Sequence, residues 1–362
     1  MKKTVKATVL LGFLLFSLTG CGDSAENWSS TTYDSESNYV EGDVVIDFDI
    51  KFETPSKCNV YDAVIMSISE DSMNNYFFDE KAQKMVDGDS GSVLLDLDNK
   101  HGILSDSSFV FYTDNGNKFD DAASYFLNDP DASSLDNSVE FAFATKKTAE
   151  NEIRSFLDEV GLKSGEMVVE QAYGISKENF DEYKNFLEKT ALEENDPKIG
   201  VQAENVSKIN SEDFYYFDIG FSKDNIPIYS GGAYYYGEGE NDTFAGTRLT
   251  IVYTRNGIEY VSAFFIYGTD GIVESADIID FSVAKELLKS KYENIFFDSA
   301  VTFDRSELVY LPFPQNTLNE RFKRFILRPY YAFYGYQTAE IDGEIYRSDF
   351  VVYFDAITGK EL

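Results

Sequence analysis

Hydrophobic residues along this chain switch repeatedly between the spacing of a strand and that of a helix. Over residues 44–52, Ile46, Phe48, Ile50 and Phe52 alternate with Asp47, Asp49 and Lys51, which marks a half-buried strand stopped by Pro55. Ser69 is placed to cap a short helix with Met73, Tyr76 and Phe77 on one face. Strands are expected at 93–97, 108–112 and 139–144, with a turn at Asn115-Gly116. Behind Thr148, the residues Ile153, Phe156, Leu157 and Val160 fall at i, i+3, i+4 and i+7, and Gly161 stops the run. That is the clearest helical stripe in the chain. Residues 167–175 read as a strand and 176–190 as a helix with Phe180, Tyr183 and Leu187 inward.

Further on, strands dominate. They are expected at 214–221, 226–236, 248–253 and 259–267, with Asn256-Gly257 turning a tight hairpin. A helix opens at Ser282 with Val283, Leu287, Leu288 and Tyr292 as its buried stripe. Strands follow at 307–313, 325–337 and 349–354, and the chain closes on a turn through Asp355-Ala356-Ile357-Thr358-Gly359. The order helix, strand, strand occurs after Thr148 and again after Ser282. Either an α+β unit is duplicated or the recurrence is chance, because the order aligns and the residues do not. The fold class expected is α+β: antiparallel sheets with a few packed helices.

The N-terminus follows another pattern. Lys2, Lys3 and Lys6 precede an apolar run over 7–18, too short for a comfortable membrane span and typical of an export signal. The run ends in Leu18-Thr19-Gly20-Cys21, which resembles the lipobox of bacterial lipoproteins. The resemblance implies cleavage before Cys21, lipid on its thiol, and a protein anchored outside the cell membrane. Residues 1–20 are then the signal and 21–43, small, polar and acidic, a tether. Trp28 within it is either a headgroup anchor or a stray aromatic. A β-rich region is expected over 44–145 and an α+β region over 146–362.

Charge narrows the partners. With 64 acidic against 31 basic residues the formal charge is −33, which repels nucleic acid and anionic headgroups. The basic residues are scattered, and the group Arg321-Phe322-Lys323-Arg324 sits among apolar ones. The acid does not signify disorder, since 43% of residues are hydrophobic and Tyr and Phe number 25 and 31. Lipid on Cys21 would leave Cys58 alone, so no internal disulfide forms and Cys58 is expected as a buried, inert thiol.

Two stretches carry wider resemblances. The segment 326–336, a hairpin at Asp342-Gly343, and Val351-Val352-Tyr353-Phe354-Asp355-Ala356-Ile357-Thr358-Gly359 resemble the end of PepSY-like domains and of extracytoplasmic regulators of two-component kinases. That likeness covers roughly 281–362 and implies a helix packed on an antiparallel sheet. Phe214-Tyr215-Tyr216-Phe217 followed by Asn225-Ile226-Pro227-Ile228 is similar to a group of lipoproteins of Gram-positive gut bacteria, which implies no particular activity.

Catalytic motifs fail on inspection. Gly88-Asp89-Ser90-Gly91-Ser92 resembles a serine-protease nucleophile, yet that chemistry places its histidine before the serine and His101 comes after. Ser282-Val283-Ala284-Lys285 matches the Ser-x-x-Lys of penicillin-recognising enzymes, but the Lys-Thr-Gly strand is missing; Thr358-Gly359-Lys360 has the wrong order. Ser282 serves as a helix cap without further assumption. Asp96-Leu97-Asp98-Asn99 and Asp114-Asn115-Gly116-Asn117 miss the EF-hand spacing because of Lys100 and Lys118, leaving only a loop-built calcium site open. One histidine and one free cysteine make no zinc site. Tyr234, Tyr235 and Tyr236, flanked by glycines, offer flat rings to a sugar or a partner, or form an ordinary strand. The expectation is therefore a non-catalytic, cofactor-free lipoprotein that binds or regulates another envelope protein; the alternative is a small-solute or glycan binder.

Overall fold

The computed structural model describes residues 38–41, 44–47, 54–88, 90–128, 135–194, 196–235, 243–292, 301–315, 324–341 and 344–362. The signal, Cys21, Trp28, the expected Asp342-Gly343 hairpin and residues 48–53 of the first expected strand lie outside the described residues. The chain runs through β1 (Asn38–Glu41), β2 (Val44–Asp47) and β3 (Lys57–Ile65), then α1 (Glu70–Phe78). A meander of β4 (Gln83–Val86), β5 (Val93–Leu97), β6 (Lys100–Leu104) and β7 (Ser108–Thr113) leads into α2 (Asp114–Asn128) and α3 (Lys146–Glu159). Next come β8 (Met167–Ile175), α4 (Lys177–Glu194), α5 (Pro197–Ser207), β9 (Phe214–Lys223) and the short β10 (Ile226–Pro227), β11 (Tyr234–Tyr235) and β12 (Thr243–Phe244). The rest is β13 (Arg248–Thr254), β14 (Gly257–Phe264), β15 (Tyr267–Asp277), α6 (Phe281–Tyr292), β16 (Val301–Pro314), β17 (Arg324–Ile341) and β18 (Glu344–Asp355).

Two large, mainly antiparallel sheets result, as an α+β fold requires. In the seven-stranded sheet the order is β1-β2-β16-β17-β3-β15, with β18 also on β17; β2 and β16 form the one parallel strand pair among the described residues. The nine-stranded sheet has the order β10-β9-β13-β14-β7-β6-β5-β4, with β8 also on β9. Both sheets draw on both halves of the chain, since β7 pairs with β14 and β3 with β15 and β17. A division near residue 145 therefore does not coincide with a division between sheets.

Three apolar clusters hold these layers. The main one joins Phe109, Phe111, Phe217 and Ile251 of the nine-stranded sheet with Tyr61, Tyr310, Tyr331 and Phe333 of the other, and includes α1, α3 and α6. A second lies under α2, α4 and α5 on the opposite face of the nine-stranded sheet, around Phe119, Phe180, Phe214 and Val252. A third sits on the outer face of the seven-stranded sheet, where Phe244 covers Val309, Leu311, Tyr330 and Tyr353. Each fully buried aromatic or aliphatic side chain contributes about 1.5–3 kcal/mol, so the aromatic surplus in the sequence is spent inside. A polar tie runs between the sheets as well. The Tyr229 amide, just after β10, donates to the Tyr310 carbonyl of β16 at 2.9 Å, while Tyr310 Oη donates to the Asn59 carbonyl at 3.0 Å and ties β16 to β3 within the seven-stranded sheet.

Several local expectations need correction. Asn115-Gly116 is the first turn of α2: Thr113 Oγ1 accepts from the Gly116 amide at 2.9 Å and caps it. The helical stripe was present in Phe119, Ala122, Ala123 and Phe126. Residues 139–144 form no strand, only a bridge between Phe141 and Ala144, because Tyr215 Oη accepts the Phe141 amide at 2.7 Å instead of a ladder partner. The stretch 226–236 breaks into β10 and β11, and β1 lies where tether was expected. Asp280 Oδ1, not Ser282, accepts the amide that opens α6, and Ala284 takes the buried position assigned to Val283, which is 48% exposed. After α3 the order is strand, helix, helix, whereas α6 leads directly into β16, β17 and β18, so the recurrent helix–strand–strand order is not present.

Candidate functional site

Strand β9 shows where the nine-stranded sheet opens. Its odd members Tyr215, Phe217 and Ile219 point into the main core. Of the even ones, Phe214 and Tyr216 pack under the helices, but the row continues as Asp218 and Gly220. Helix α2 crosses β7, β14, β13 and β9, and beyond it this face is polar and half-exposed. Arg248 and Thr250 of β13 stand in register beside Asp218, since Thr250 pairs with Asp218. From β14, Tyr260 and Ser262 share the face, and Asp120 reaches it from α2.

A bulge brings the last member. The β8–β9 register slips between Val169 and Gln171, which leaves Glu170 as the extra residue. Its side chain lies over Gly220, where any Cβ would run into the Glu170 carboxylate. Bulges re-aim side chains in this way. Ser230, on the connection after β10, stands 3.5 Å from Glu170 Oε2.

The electrostatics follow from partial burial of acids around one cation. Burial first, then the Asp218 charge, pushes the Glu170 carboxyl up to about 7. Burial pushes Asp120 up to about 6, partly offset by its hydrogen bond with Tyr260. Asp218 is raised by burial, and Arg248, at 3.8 Å, pulls it back. Burial works against the Arg248 charge, but Asp218 and a hydrogen bond to Tyr216 outweigh it and hold the guanidinium protonated. Near neutral pH the face thus offers carboxyl groups that both accept and donate, a forked cation, and tyrosine hydroxyls. No cluster of three or more His, Cys, Asp or Glu side chains able to hold a metal forms among the described residues.

The residues singled out in the sequence lie elsewhere. Tyr234 is half-buried, stacked on Phe244 at 5.2 Å and edge-on to Tyr353 at 5.1 Å, which ties its ring to the third cluster. Tyr236 and the Tyr235 side chain lie outside the described residues. Ser90 sits in the β4–β5 turn and donates to Asp87 at 2.5 Å. His101 pairs with Asp96 near the far end of β5, hydrogen-bonded between Asp96 (2.7 Å) and Asp114 (3.1 Å). The structure does not bring the two together. Ser282 Oγ donates to Asp280 at 2.6 Å; the Thr358-Gly359-Lys360 string does come near this helix, but at Leu287, where a Cβ on Gly359 would lie 3.1 Å from the Leu287 side chain. Cys58 is buried, and burial with the Asp224 charge pushes its thiol to about 11, where it stays protonated and unreactive.

Sequence reading passed over Glu170, Asp218, Arg248, Asp120, Tyr216 and Tyr260. One signal was there: Phe-Tyr-Tyr-Phe, apolar on both faces, gives way to Asp-Ile-Gly-Phe, apolar on one.

No protein-family model matches the chain, and no curated protein matches it. Among solved structures, an uncharacterised protein from Eubacterium rectale ATCC 33656 is similar, with a TM-score of 0.56 at 17% identity over 90% of this chain and 92% of that one. At that identity the likeness speaks for the fold alone.

Proposed function

We propose that this is a lipid-anchored, extracytoplasmic binding protein, and that the polar face around Arg248 takes a neutral, hydroxyl-rich solute or glycan without turning it over. The observation that carries the reading is the set Asp120, Glu170, Asp218, Arg248 and Tyr260 on one half-exposed face. Sugars need dense, bidirectional hydrogen bonding, and carboxyls with values near 6 and 7 beside a guanidinium supply it. The surrounding acid disfavours anionic ligands. Lipobox resemblance supports the anchor, with Cys21 as the lipidated residue.

Calorimetric titration of the lipid-free protein with neutral and uronic-acid oligosaccharides tests it. A neutral ligand should bind, remain chemically intact, and lose about tenfold or more in affinity to Arg248→Ala and Asp218→Asn proteins that melt normally. Undiminished binding to those variants would move the site elsewhere, and cleavage of the ligand would make the protein an enzyme.

A further inference from the structure

The nine-stranded sheet ends in β4, whose only strand partner among the described residues is β5. All four of its residues are exposed, Met85 by 58% and Val86 by 56%. Edge strands are usually guarded by proline, a bulge or an outward lysine. The described pairing of β4 has no bulge and no proline, and its Lys84 is drawn sideways onto Glu70 at the start of α1. The Asp87 amide donates to the Ser92 carbonyl, so by the alternation of an antiparallel ladder the Val86 and Lys84 backbone groups face away from β5, toward the open edge.

An open cleft of about 400 Å³ adjoins this edge. Ile65, Ile68, Val93 and Leu104 form its apolar lining, and Val93 is the ladder partner of Val86. Glu70 and Asp106 line it too, and Asp87 follows Val86 directly.

We infer that β4 docks an extended, basic segment of a partner protein, which adds to the sheet as a further strand. Main-chain bonds to Val86 and Lys84 would give the affinity, apolar side chains would pack on the exposed Met85 and Val86, and lysines or arginines would meet Asp87 and the acidic surroundings of the edge. Charge decides against a second copy of this chain: at −33, with the same acids on both sides, two edges repel. Such a partner is the kind of envelope protein expected from the sequence, and the inference stands apart from the solute face.

The experiment uses an acetylated, amidated decapeptide of alternating Val and Lys, its Val/Glu counterpart, fluorescence anisotropy, and amide exchange of the full protein. The Val/Lys peptide should bind and slow exchange at Val86 and Lys84, and the Val/Glu peptide should bind at least tenfold more weakly. Val86→Pro removes an outward amide while leaving the ladder to β5, and should cost about tenfold in affinity. Should that variant not fold, Val86→Asp serves, with the same expectation from like-charge repulsion. Failure of the Val/Lys peptide to bind, binding without protection of β4, or full affinity in a folded variant overturns the inference. So does a dimer in sedimentation that Val86→Pro dissociates, which would assign the edge to a second copy.

Discussion

The two sheets solve the same packing problem differently. At the centre of the seven-stranded sheet, on β16 and β17, both faces are covered: Tyr331 and Phe333 face the main core, Tyr330 and Ala332 the third cluster, and all are buried. The central strands of the nine-stranded sheet, β9 and β13, are covered along one face and only partly on the other, because α2, α4 and α5 stop short of Asp218 and Arg248. A strand covered twice must be apolar at every position, so β16 and β17 read Leu-Val-Tyr-Leu and Tyr-Tyr-Ala-Phe. A strand covered once can place chemistry on its open side. The difference teaches that polar interruptions inside long apolar strands of this chain mark uncovered face.

If that contrast holds, disturbing the doubly covered sheet should be catastrophic. Deleting residues 349–362 removes the C-terminal half of β18, buried Tyr353, Phe354 and Ala356, and the Asp355 carboxylate that holds Arg328. Loss of cooperative melting, or insolubility, is expected by calorimetry. A truncated protein melting near the full-length temperature would show that the sheet does not depend on its last strand.

Two glycine substitutions sharpen the comparison. A Cβ at Gly116 would strike the Glu259 carbonyl oxygen on β14, a backbone atom that cannot move alone. Gly116→Ala should cost about 2–3 kcal/mol in denaturant unfolding. At Gly220 the obstacle is the flexible Glu170 side chain, so Gly220→Ala should cost under about 1 kcal/mol while displacing the carboxylate and weakening ligand binding. Equal costs at both positions would contradict the picture of an open face.

The next test is pH. Glu170 is held at about 7 in the folded protein against an ordinary 4.5, so the folded state keeps that proton longer than the unfolded chain. Ionisation therefore opposes folding, and stability falls as pH rises through the window from 4.5 to about 7. Glu170→Gln should flatten this, stabilising the protein by about 1 kcal/mol above the window and little below it, since the half-exposed site is screened. Thermal melts across pH would show it.

The smallest effect is expected at His101. Burial lowers its pKa, but hydrogen bonds to Asp96 and Asp114 and their charges outweigh this and raise it above 6.5. Its contribution is thus complete below 6.5 and lost as pH rises through the folded value. His101→Gln should lower stability by about 0.5 kcal/mol at acid pH and by nothing measurable at alkaline pH. A pH-independent loss would mean that the imidazole acts through packing on Tyr112 alone.

By itself the sequence determined the α+β class and the stripes of α3 and α4, because period and local caps are short-range properties. It also marked the Asp355 turn, whose carboxylate accepts the Ile357 and Thr358 amides at 2.8 and 2.9 Å. Candidate chemistry was less legible. Tyr234 reads identically whether it faces solvent or Phe244, and only tertiary packing decided for Phe244. Glu170 and Arg248 lie far apart in the chain, and no spacing rule links them. They share one face because a bulge in β8 turned the first over Gly220 and the β9–β13 register set the second beside Asp218. Register and bulges are cross-strand properties, settled when distant segments pair, and the chemistry of the open face follows from them.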